Sequence, residues 1–487
     1  MSEGKVSSRW GTLVVMLGMA VGTGNIWRFP REAANNGGGS FLIPWVTFLL
    51  LWSVPLLLVE FAMGRAARRG PIGAFAKLFG KGRAWMGAWV AFTATAIMFY
   101  YSVVMGWTLR YLWASISRGV PMTSPEAATS FWEGFVGTPS AVLFHALAMT
   151  LGVWVVARGI QGIERAVRLL IPGLFVLVIV LAIRAVTLPG AGAGLEFLFT
   201  PHWADLKHAS VWVAALTQNA WDTGAGWGLA LAYAVYLREQ EDTALNAFVL
   251  GFGNNTVSLL AGVMVLCTVF AVMPEAKDTI IGAGNEGLTF IWVPQLFGQI
   301  PGGAVFMVFF FLALFIAAWS SLIAMIELAT RVLLDAGLSR RRAIPLVGIA
   351  GFLLGLPSAL SLPFFRNQDW VWSVGLMLSG LFFAIGVLRY GVDRFRTRLV
   401  NRDGSDLEIG RGWNVVMMFV VLEALVLMFW WLSQALDMTD LASTLTPFSS
   451  FNVGTVLVQW VVVLVALLAL NRFLAARMAG EAAEGEP

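Results

Sequence analysis

The chain has 487 residues, of which 58% are hydrophobic and only 12% are charged, about half the charged fraction of an ordinary soluble protein. That composition excludes a soluble enzyme and indicates an α-helical protein that crosses a membrane many times. The formal net charge of +4 does not point to nucleic acid, because the basic residues cluster in alternate loops between apolar runs. The one cysteine, Cys267, lies in such a run, so no intrachain disulfide is possible.

Apolar runs of about 20 residues, the length needed to cross a bilayer, recur along the chain and predict twelve spans. An even number of spans places both termini on the same side. Most of the 32 lysines and arginines lie on that side, so the positive-inside rule predicts that both termini are cytoplasmic. The approximate cores of the spans are 11–33, 40–63, 85–115, 139–157, 166–187, 210–237, 244–272, 303–334, 343–361, 370–390, 413–434 and 453–473.

Four segments lie outside the spans and differ in composition. Residues 1–10 are expected to form a cytoplasmic N-terminus, and 477–487, which are acidic and small, a disordered cytoplasmic tail. The segments 188–209 and 274–302 are rich in Gly and Pro and are predicted to be extracellular loops. Loops of this length often act as lids.

The first span contains a stretch, residues 18–30, that a simple membrane helix does not need. It holds three glycines, Asn25, Arg28 and Pro30, and each glycine lowers helix stability by about 1 kcal/mol relative to alanine. Unwound backbone at membrane depth persists only where it is buried in protein or lines a cavity. A glycine-rich helix-packing face would account for the glycines but not for Asn25 or Arg28. The stretch is therefore interpreted as a broken helix whose freed backbone groups bind a ligand.

The sixth span repeats this pattern at 218–228, again with glycines and now with Asp222. A charge at the bilayer centre costs at least about 2.5–3.5 kcal/mol, so Asp222 needs a partner, and a bound cation is the natural one. The alternative is a structural hydrogen bond to a neighbouring helix. Breaks five spans apart predict two inverted repeats, residues 11–187 and 210–392, followed by two further spans in 393–476.

Several motifs in this order resemble the neurotransmitter:sodium symporter family, whose bacterial members include amino-acid symporters of the leucine-transporter type. The most specific are GTGNIWRFP at 22–30, NGGGSF at 36–41 and EFAMGR at 60–65, and weaker ones lie at 100–101, 158–164 and 319–321. The resemblance covers nearly the whole chain. It implies an all-α integral membrane fold of twelve transmembrane helices, two five-helix inverted repeats with broken helices 1 and 6, and sodium-coupled uptake of an amino acid into the cell across its inner membrane.

The resemblance also implies two sodium sites. Sodium, like other hard cations, prefers oxygen ligands, and each position offers one. Ser320 and Ser321 have an alternative role, because hydroxyls often bond to carbonyls of their own helix. The first site would use Ala20, Asn25, Asp222 and Asn254 with the substrate carboxylate, and the second Gly18, Val21, Ala317, Ser320 and Ser321.

A substrate carboxylate would be held, on the same resemblance, by the Tyr101 hydroxyl and the amides of Thr23 and Gly24. Monoamine transporters of the family have an aspartate where this chain has Gly22, so a neutral amino acid with a hydrophobic side chain is expected. Large aromatic side chains on the walls could equally be core packing. The side-chain pocket would be lined by Met19, Ile97, Trp221, Gly224, Trp227 and Met325.

Gating residues follow from the same correspondence. Arg28 and Asp369 would close the outer side, with Trp227 as the aromatic lid. Asp335 would take part in an inner gate. Its usual N-terminal partners, Arg and Trp, are missing from this chain, which leaves Lys5 or Arg9 as candidates.

In the family, the residue at one position determines whether transport depends on chloride. A neutral residue there predicts chloride dependence and an acidic residue predicts independence. This chain has Ser258 at that position. Asp222 stands where most members have Ser or Thr, close to the same site. One fixed negative charge can replace a bound anion, so Asp222 is expected both to bind sodium and to make transport chloride-independent. Proton coupling at Asp222 is an alternative. Two further intramembrane acids, Glu60 and Glu327, are interpreted as structural or gating residues.

Other functions fit the sequence less well. A channel filter requires ring symmetry or repeated pore loops, and neither is visible. The three histidines, His145, His202 and His208, form no metal-binding pattern, which argues against a membrane enzyme. A transporter of another small carboxylate or amine, or an amino-acid sensor on the same fold, stays open, as do the sodium stoichiometry and the oligomeric state.

Overall fold

A computed structural model describes residues 4–117, 119–120, 124–238, 240–402, 406–436, 439–447, 449 and 451–478. Over these residues the chain forms helices and no strand. The helices of the first half and of its connection to the second are α1 (Arg9–Ala20), α2 (Phe29–Asn35), α3 (Gly39–Phe48), α4 (Val54–Ala67), α5 (Pro71–Phe79), α6 (Ala84–Ile116), α7 (Pro125–Glu133), α8 (Pro139–Val156), α9 (Gly159–Val186) and α10 (Ala191–Phe199).

The second half begins with another pair of short helices and ends with two further spans. Short π-helical turns lie at Gly24–Arg28, Leu49–Ser53, Gly287–Trp292 and Arg396–Val400. The helices are α11 (Ala209–Asp222), α12 (Leu229–Ala234), α13 (Thr243–Val272), α14 (Lys277–Gly282), α15 (Gly284–Glu286), α16 (Val293–Gly298), α17 (Gly303–Asp335), α18 (Arg340–Leu360), α19 (Leu362–Tyr390), α20 (Val392–Phe395), α21 (Gly412–Gln434), α22 (Leu441–Thr444), α23 (Val453–Ala469) and α24 (Asn471–Met478).

Within the described residues, nine single helices are long and apolar enough to cross a membrane, and two bent helix pairs bring the number to eleven. The bent pairs are Arg9–Ala20 with Gly24–Asn35, at 56°, and α23 with α24, at 60°. The sixth predicted span contains no single helix long enough to cross a membrane, because it consists of the shorter helices α11 and α12 with residues 223–228 between them. With this broken span the order matches the twelve spans predicted from the sequence.

Polar residues at the helix starts determine where several of these spans begin. Ser8 accepts a hydrogen bond from the Gly11 amide at the start of α1, and Asp242 accepts one from the Leu245 amide at the start of α13. Such N-caps satisfy backbone donors that have no partner within the helix. In a membrane an unsatisfied donor is costly, so the caps fix the helix boundaries.

The core lies around α6 and α17, which have 33 residues each and pack against one another. Helices α8, α18 and α19 pack on α6, while α1, α9 and α12 pack on α17. The short helices α1 and α12 therefore end against the longest helices of the bundle. This arrangement places the two helix breaks at the centre of the protein.

The bundle has two faces, which we name by what they carry. The terminal face carries the chain ends: the Val6 amide donates to the Tyr236 carbonyl at 3.2 Å, and Asn471 in α24 donates to the Lys81 carbonyl at 3.4 Å. The loop face carries the segments 188–209 and 274–302. These were expected to be loops, but they contain α10 and α14–α16, because apolar side chains such as Leu198 and Phe297 are buried against the bundle.

The predicted disordered tail falls mainly on residues 479–487, which lie outside the described residues. Its first two positions, 477 and 478, belong to α24, where Met478 is buried. The N-terminal residues from Val6 onward are likewise held by specific contacts. Ser7 donates through its amide to Glu164, 3.0 Å away.

Gly64 permits a close helix contact that supports the broken span. A Cβ at Gly64 would overlap the Leu231 carbonyl and would lie 2.6 Å from the Ala234 Cβ. Gly64→Ala should therefore push α12 away from α4 and lower stability by about 1–3 kcal/mol, measured as a lower melting temperature in detergent. The control is Gly173→Ala in α9, where a Cβ meets nothing within 4 Å. Equal melting temperatures for the two variants would contradict this role of Gly64.

Candidate functional site

The first break separates α1 from its continuation. Val21 is extended, with φ −70° and ψ 105°, and the helix resumes at Gly24. Its direction changes by 56° across the break. The Val21 amide still donates to the Leu17 carbonyl at 2.8 Å. The amides of Gly22 and Thr23 leave the helical pattern and donate to the side chains of Asn25 and Tyr101.

The second break lies beside it, between α11 and α12. Gly224, Gly226 and Gly228 have positive φ values of 72°, 88° and 79°, a conformation that glycine adopts readily and other residues rarely. The Glu60 carboxylate accepts hydrogen bonds from the amides of Gly226, at 2.7 Å, and Leu231, at 3.1 Å. Glu60 therefore ties the unwound segment to α4, which is the structural role expected for it.

A buried polar cluster connects the two breaks through α13. The Asn25 amide nitrogen donates to Asn254 Oδ1 at 2.9 Å and to Ser258 Oγ at 2.8 Å. Ser258 Oγ in turn donates to Asp222 Oδ2 at 2.6 Å, and Asn25 Oδ1 accepts from the Gly22 amide at 2.7 Å. Three of the four residues predicted for the first sodium site thus form one network with Ser258. The fourth, Ala20, lines the adjoining cavity.

The other carboxylate oxygen of Asp222 is the exceptional atom of this cluster. Oδ1 is buried, and none of the residues that the structure describes donates a hydrogen bond to it. A Cβ at Gly24 would lie 3.3 Å from Oδ1, so this oxygen faces the first break. A buried charge needs a partner, and a hard cation fits an oxygen in this position. The donor set therefore fits sodium.

The residues predicted for the second sodium site also converge, in this case from α1 and α17. The hydroxyls of Ser320 and Ser321 each donate to the Val21 carbonyl at 3.4 Å. Ser320 Oγ also lies 3.1 Å from the Ala317 carbonyl of its own helix. Gly18 is one turn before Val21 on α1. A Cβ at Gly18 would lie 3.0 Å from Val167 of α9. The set offers only oxygen ligands near the break, which again suits sodium.

A small central cavity of about 30 Å³ lies between the two breaks, enough for one or two water molecules. Of the nine residues predicted to bind substrate, all but Thr23 and Ile97 line it. Ile97 is fully buried one turn before Tyr101, and Thr23 lines the next cavity instead. Leu229 was missed, because its position depends on how α12 restarts after the glycines. The cavity is lined by Met19, Ala20, Gly22, Gly24, Asn25, Tyr101, Trp221, Asp222, Gly224, Trp227, Leu229, Ser321 and Met325.

Thr23 nevertheless contacts the predicted carboxylate-binding residue. Its backbone amide and its hydroxyl both donate to Tyr101 Oη, each at 3.2 Å. The Tyr101 hydroxyl is thereby held at the N-terminal start of the second half of the broken helix. Its proton stays available to an acceptor in the central cavity.

A larger cavity of about 300 Å³ lies between the central cavity and the loop face. Trp221 and Tyr101 line both cavities, and the Arg28 guanidinium lies over the Trp221 ring at 5.6 Å. Trp227, expected as the aromatic lid, lines only the central cavity, and its indole donates to the Ala220 carbonyl at 3.2 Å. Trp221 and Tyr101 therefore lie between the two cavities, whereas Trp227 lies on the wall of the central one. A lid role for Trp227 stays a prediction.

The predicted outer gate residues, Arg28 and Asp369, line this larger cavity but do not form a direct ion pair with each other in the described part of the chain. Arg28 instead lies 3.7 Å from Glu32. A different pair bridges the loop face, since Arg366 of α19 lies 3.3 Å from Glu286 of α15.

The terminal face is held by buried ion pairs. Asp335 accepts a hydrogen bond from the Gly70 amide at 2.6 Å and pairs with Arg331. The contact considered between Asp335 and Arg9 is not formed, because Arg9 pairs with Asp406 at 2.7 Å.

Glu327 completes the closed terminal face. It pairs with Arg340 at 2.8 Å and accepts a hydrogen bond from the Tyr236 hydroxyl, which fits the structural or gating role expected for it. Tyr236 also receives the Val6 amide at its carbonyl oxygen. These contacts join the N-terminus, α17 and α18 beneath the central cavity.

Comparison with known proteins agrees with this geometry. The family model described as "Sodium:neurotransmitter symporter family" matches residues 4–134 and 134–478. A sodium-dependent transporter of Methanocaldococcus jannaschii is 34% identical over 367 residues, covering 72% of this chain and 74% of the relative. The sodium-dependent transporter YhdH of Bacillus subtilis is 30% identical over 444 residues, covering 87% and 96%.

A solved structure supports the same assignment. The crystal structure of MhsT in complex with L-phenylalanine superimposes with a TM-score of 0.77 at 30% identity, covering 88% of this chain and 99% of that one. Broken helices around buried oxygen ligands define a membrane transporter rather than an enzyme. The chain belongs to the sodium:neurotransmitter symporter family, which consists of sodium-dependent multi-pass membrane transporters.

The position of Trp221 predicts that it controls access to the central cavity. Met325→Cys in a Cys267→Ala background would place one cysteine on the wall of this cavity. A small water-soluble thiol reagent should label it slowly, and Trp221→Ala should accelerate labelling at least about tenfold by removing the partition. Trp227→Ala is the matched control, because it enlarges the cavity without joining it to the outer one. Equal acceleration by both variants would contradict the assignment of Trp221.

Proposed function

We propose that the protein is a symporter that uses the sodium gradient to import a neutral, hydrophobic amino acid. The observation that carries this proposal is the buried Asp222 Oδ1, which faces the first break and lacks a hydrogen-bond donor among the described residues. A sodium ion there would be held by Asp222, Asn25, Asn254 and the Ala20 carbonyl. The second ion would be held between Val21 and the two serines of α17, with Gly18 and Ala317 supplying the remaining carbonyls.

The substrate would add its carboxylate to the first sodium site. The Tyr101 hydroxyl and the Gly24 amide stand at the start of a helix segment, where a negative group is favoured. Gly22 has no side chain, and a Cβ there would lie 2.8 Å from Ser321 Oγ and 3.0 Å from Tyr101 Oη. Any side chain at position 22 would have to displace Ser321 or Tyr101. This chain has no acid there, so in this proposal the substrate supplies the carboxylate.

Apolar walls set the substrate class. Met19, Trp227, Leu229 and Met325 surround the space beyond the carboxylate position, and none of them carries a charge. MhsT, the structural relative, holds L-phenylalanine, which supports a hydrophobic amino acid. A central cavity of about 30 Å³ is too small for such a side chain, so Trp221 and Met325 must move when the substrate enters.

Alternating access would connect the two faces in turn. The loop face has a cavity of about 300 Å³ above Trp221, whereas the terminal face is closed by Asp335, Glu327 and the N-terminal residues. Arg28 and Asp369 would approach each other over the bound substrate, and the Asp335 contacts would then open. Both termini would lie in the cytoplasm of a cell whose inner membrane holds the protein, since the basic loops lie on the terminal face.

Uptake into proteoliposomes tests the function directly. With an inward sodium gradient, at least one neutral hydrophobic amino acid from a panel of the twenty should accumulate, and replacing sodium with potassium should abolish accumulation. Accumulation driven by a proton gradient in the absence of sodium would instead support the proton-coupled alternative. If no amino acid accumulates or binds in a sodium-dependent way, the proposal is wrong.

Chloride independence gives a second test. The fixed charge of Asp222 lies 2.6 Å from Ser258 Oγ, so it can supply the negative charge that chloride would otherwise provide. Uptake by the wild-type protein should be unchanged when gluconate replaces chloride. Asp222→Asn should lower uptake in gluconate at least about tenfold, a loss of about 1.4 kcal/mol, and adding Ser258→Glu should restore it.

The control for this series is Ser258→Ala, which keeps the Asp222 charge and should leave uptake chloride-independent. A collapse of wild-type uptake in gluconate would overturn the role of Asp222 as the chloride substitute, while sodium coupling would be unaffected.

A further inference from the structure

Helix α21 carries one acidic residue, Glu423, in the middle of a predicted span. Its neighbours Leu422 and Val426 face the bilayer, whereas Ala424 and Leu427 are buried against the bundle. Glu423 itself is only 9% exposed. Its carboxyl group therefore belongs to the side of α21 that packs on the protein, at the depth where an unpaired charge is most costly.

The surroundings of Glu423 differ from those of the other buried glutamates. Its Oε2 is buried, and none of the residues that the structure describes donates a hydrogen bond to it. By contrast, Glu60 accepts backbone amides, and Glu164, Glu241 and Glu327 each pair with an arginine. Within the described part of the chain, Glu423 is thus a buried glutamate without an ion pair.

Ring contacts show at which level of the bundle Glu423 lies. Trp431, near the end of α21, contacts Trp370, near the start of α19, with 6.4 Å between ring centroids. Trp413, near the start of α21, contacts Phe395, which follows α19, at 6.1 Å. The two helices are therefore antiparallel. Glu423 lies about two turns before Trp431, so it is level with the middle of α19.

No described basic residue of the elements that pack on α21 reaches this level. These elements are α19, α11, α4, α20 and the π-helical turn Leu49–Ser53. Arg366 and Arg389 stand near the two ends of α19, each about 16 Å or more along the helix from its middle. Arg65 of α4 donates to backbone carbonyls, and Arg394 of α20 is exposed at the terminal face.

The other charged groups on these elements are acids, which would oppose a negative charge on Glu423. They are Asp369 of α19, Asp222 of α11, Glu60 of α4 and Asp393 of α20. An ionised carboxylate that is buried without a partner is far less stable than the neutral acid, so such a group takes up a proton instead.

A sodium ion fits this position poorly. Hard cations bind through several oxygen ligands, and Glu423 has none beside it on its own helix. The positions one turn away are all apolar, namely Phe419, Val420, Val426 and Leu427. A proton, which needs only the carboxyl group itself, is the cation that this environment accommodates.

We propose that Glu423 is a proton-binding site, neutral in this conformation and separate from the sodium and substrate sites. It is distinct from the proton-coupled alternative at Asp222, because Asp222 has a hydroxyl donor on one oxygen and faces the first break with the other. Glu423 faces neither break.

Helix α19 connects this proton site with the second break. A Cβ at Gly226 would lie 3.1 Å from the Gly380 Cα, so α19 touches the unwound segment on one side and packs on α21 with another. It also carries Asp369. If the proposed function holds, a movement of α19 during transport would change the surroundings of Glu423 and make its protonation depend on conformation.

Infrared spectroscopy of the purified full-length protein in sodium-containing buffer at neutral pH tests the proposal. A protonated carboxyl has a C=O stretching band that a carboxylate lacks. Wild-type protein made with glutamate isotopically labelled at its carboxyl carbon should show such a band, shifted by the label, and Glu423→Gln should lose it. Labelled Glu423→Asp should keep a protonated-carboxyl band that the label no longer shifts.

Two controls separate Glu423 from other acids. Asp222 cannot give the labelled signal, because the label is on glutamate. Glu408→Gln removes an exposed glutamate from the segment before α21, so it should lower the carboxylate band and leave the protonated band unchanged.

Thermal melting distinguishes a neutral acid from a charged one. Glu423→Gln should keep the wild-type melting temperature, because glutamine has the shape of the neutral acid and likewise carries no charge. Glu60→Gln should melt at a lower temperature, because it replaces a carboxylate that accepts two backbone amides.

The proposal is overturned if wild-type protein shows no protonated glutamate band, or if Glu423→Gln loses carboxylate intensity instead. It is also overturned if Glu423→Gln melts as low as Glu60→Gln. Each measurement uses purified protein without a transport assay, so these outcomes are distinct from a failure of sodium-dependent amino-acid uptake.

Discussion

The structure depends on one constraint: a carboxylate is buried where two membrane helices unwind. Asp222 ends α11, and one of its oxygens is held by Ser258 while the other faces the break in the first span. A buried, uncompensated charge costs several kcal/mol, which is a large part of the stability of any protein. In the proposed function, a cation held in common by both breaks would remove that cost. Folding, sodium binding and the geometry of the substrate pocket would then be linked through this carboxylate.

A second carboxylate makes the unwound segment possible without such a cation. Glu60 accepts the amides of Gly226 and Leu231, so the freed donors of the second break are satisfied by protein. The two acids thus have different roles, which follow from their partners. Glu60 has backbone donors around it and needs no ion, whereas Asp222 has one hydroxyl donor and one oxygen left for a ligand.

Much of this arrangement could be predicted from the sequence, and the exceptions have a common physical cause. Glycines, Asn25 and Asp222 within apolar spans indicated the breaks, because a lipid-facing helix tolerates none of them easily. The sequence did not indicate that Trp221, and not Trp227, also lines the outer cavity. Both lie on the same short segment, and the three positive-φ glycines between and after them determine which ring faces outward. Ile97 and Leu229 depend on helix packing around the cavity, for which a sequence has no local pattern.

Contacts between distant segments could not be predicted from the sequence either. Arg9 pairs with Asp406, and Glu286 with Arg366, in each case between parts of the chain that only the folded bundle brings together. The helices in 188–209 and 274–302 escaped prediction because their glycines and prolines are typical of loops, although their apolar residues pack on α13 and α17.

Binding of radioactive sodium to the purified protein in chloride-free buffer is the measurement that tests the central claim most directly. The wild-type protein should bind sodium with higher affinity when its amino acid is present, because the substrate carboxylate completes the first site. Asp222→Asn should remove one bound ion and the effect of the amino acid, while leaving the ion held between α1 and α17. Unchanged sodium binding and unchanged coupling to the amino acid in Asp222→Asn would contradict the account.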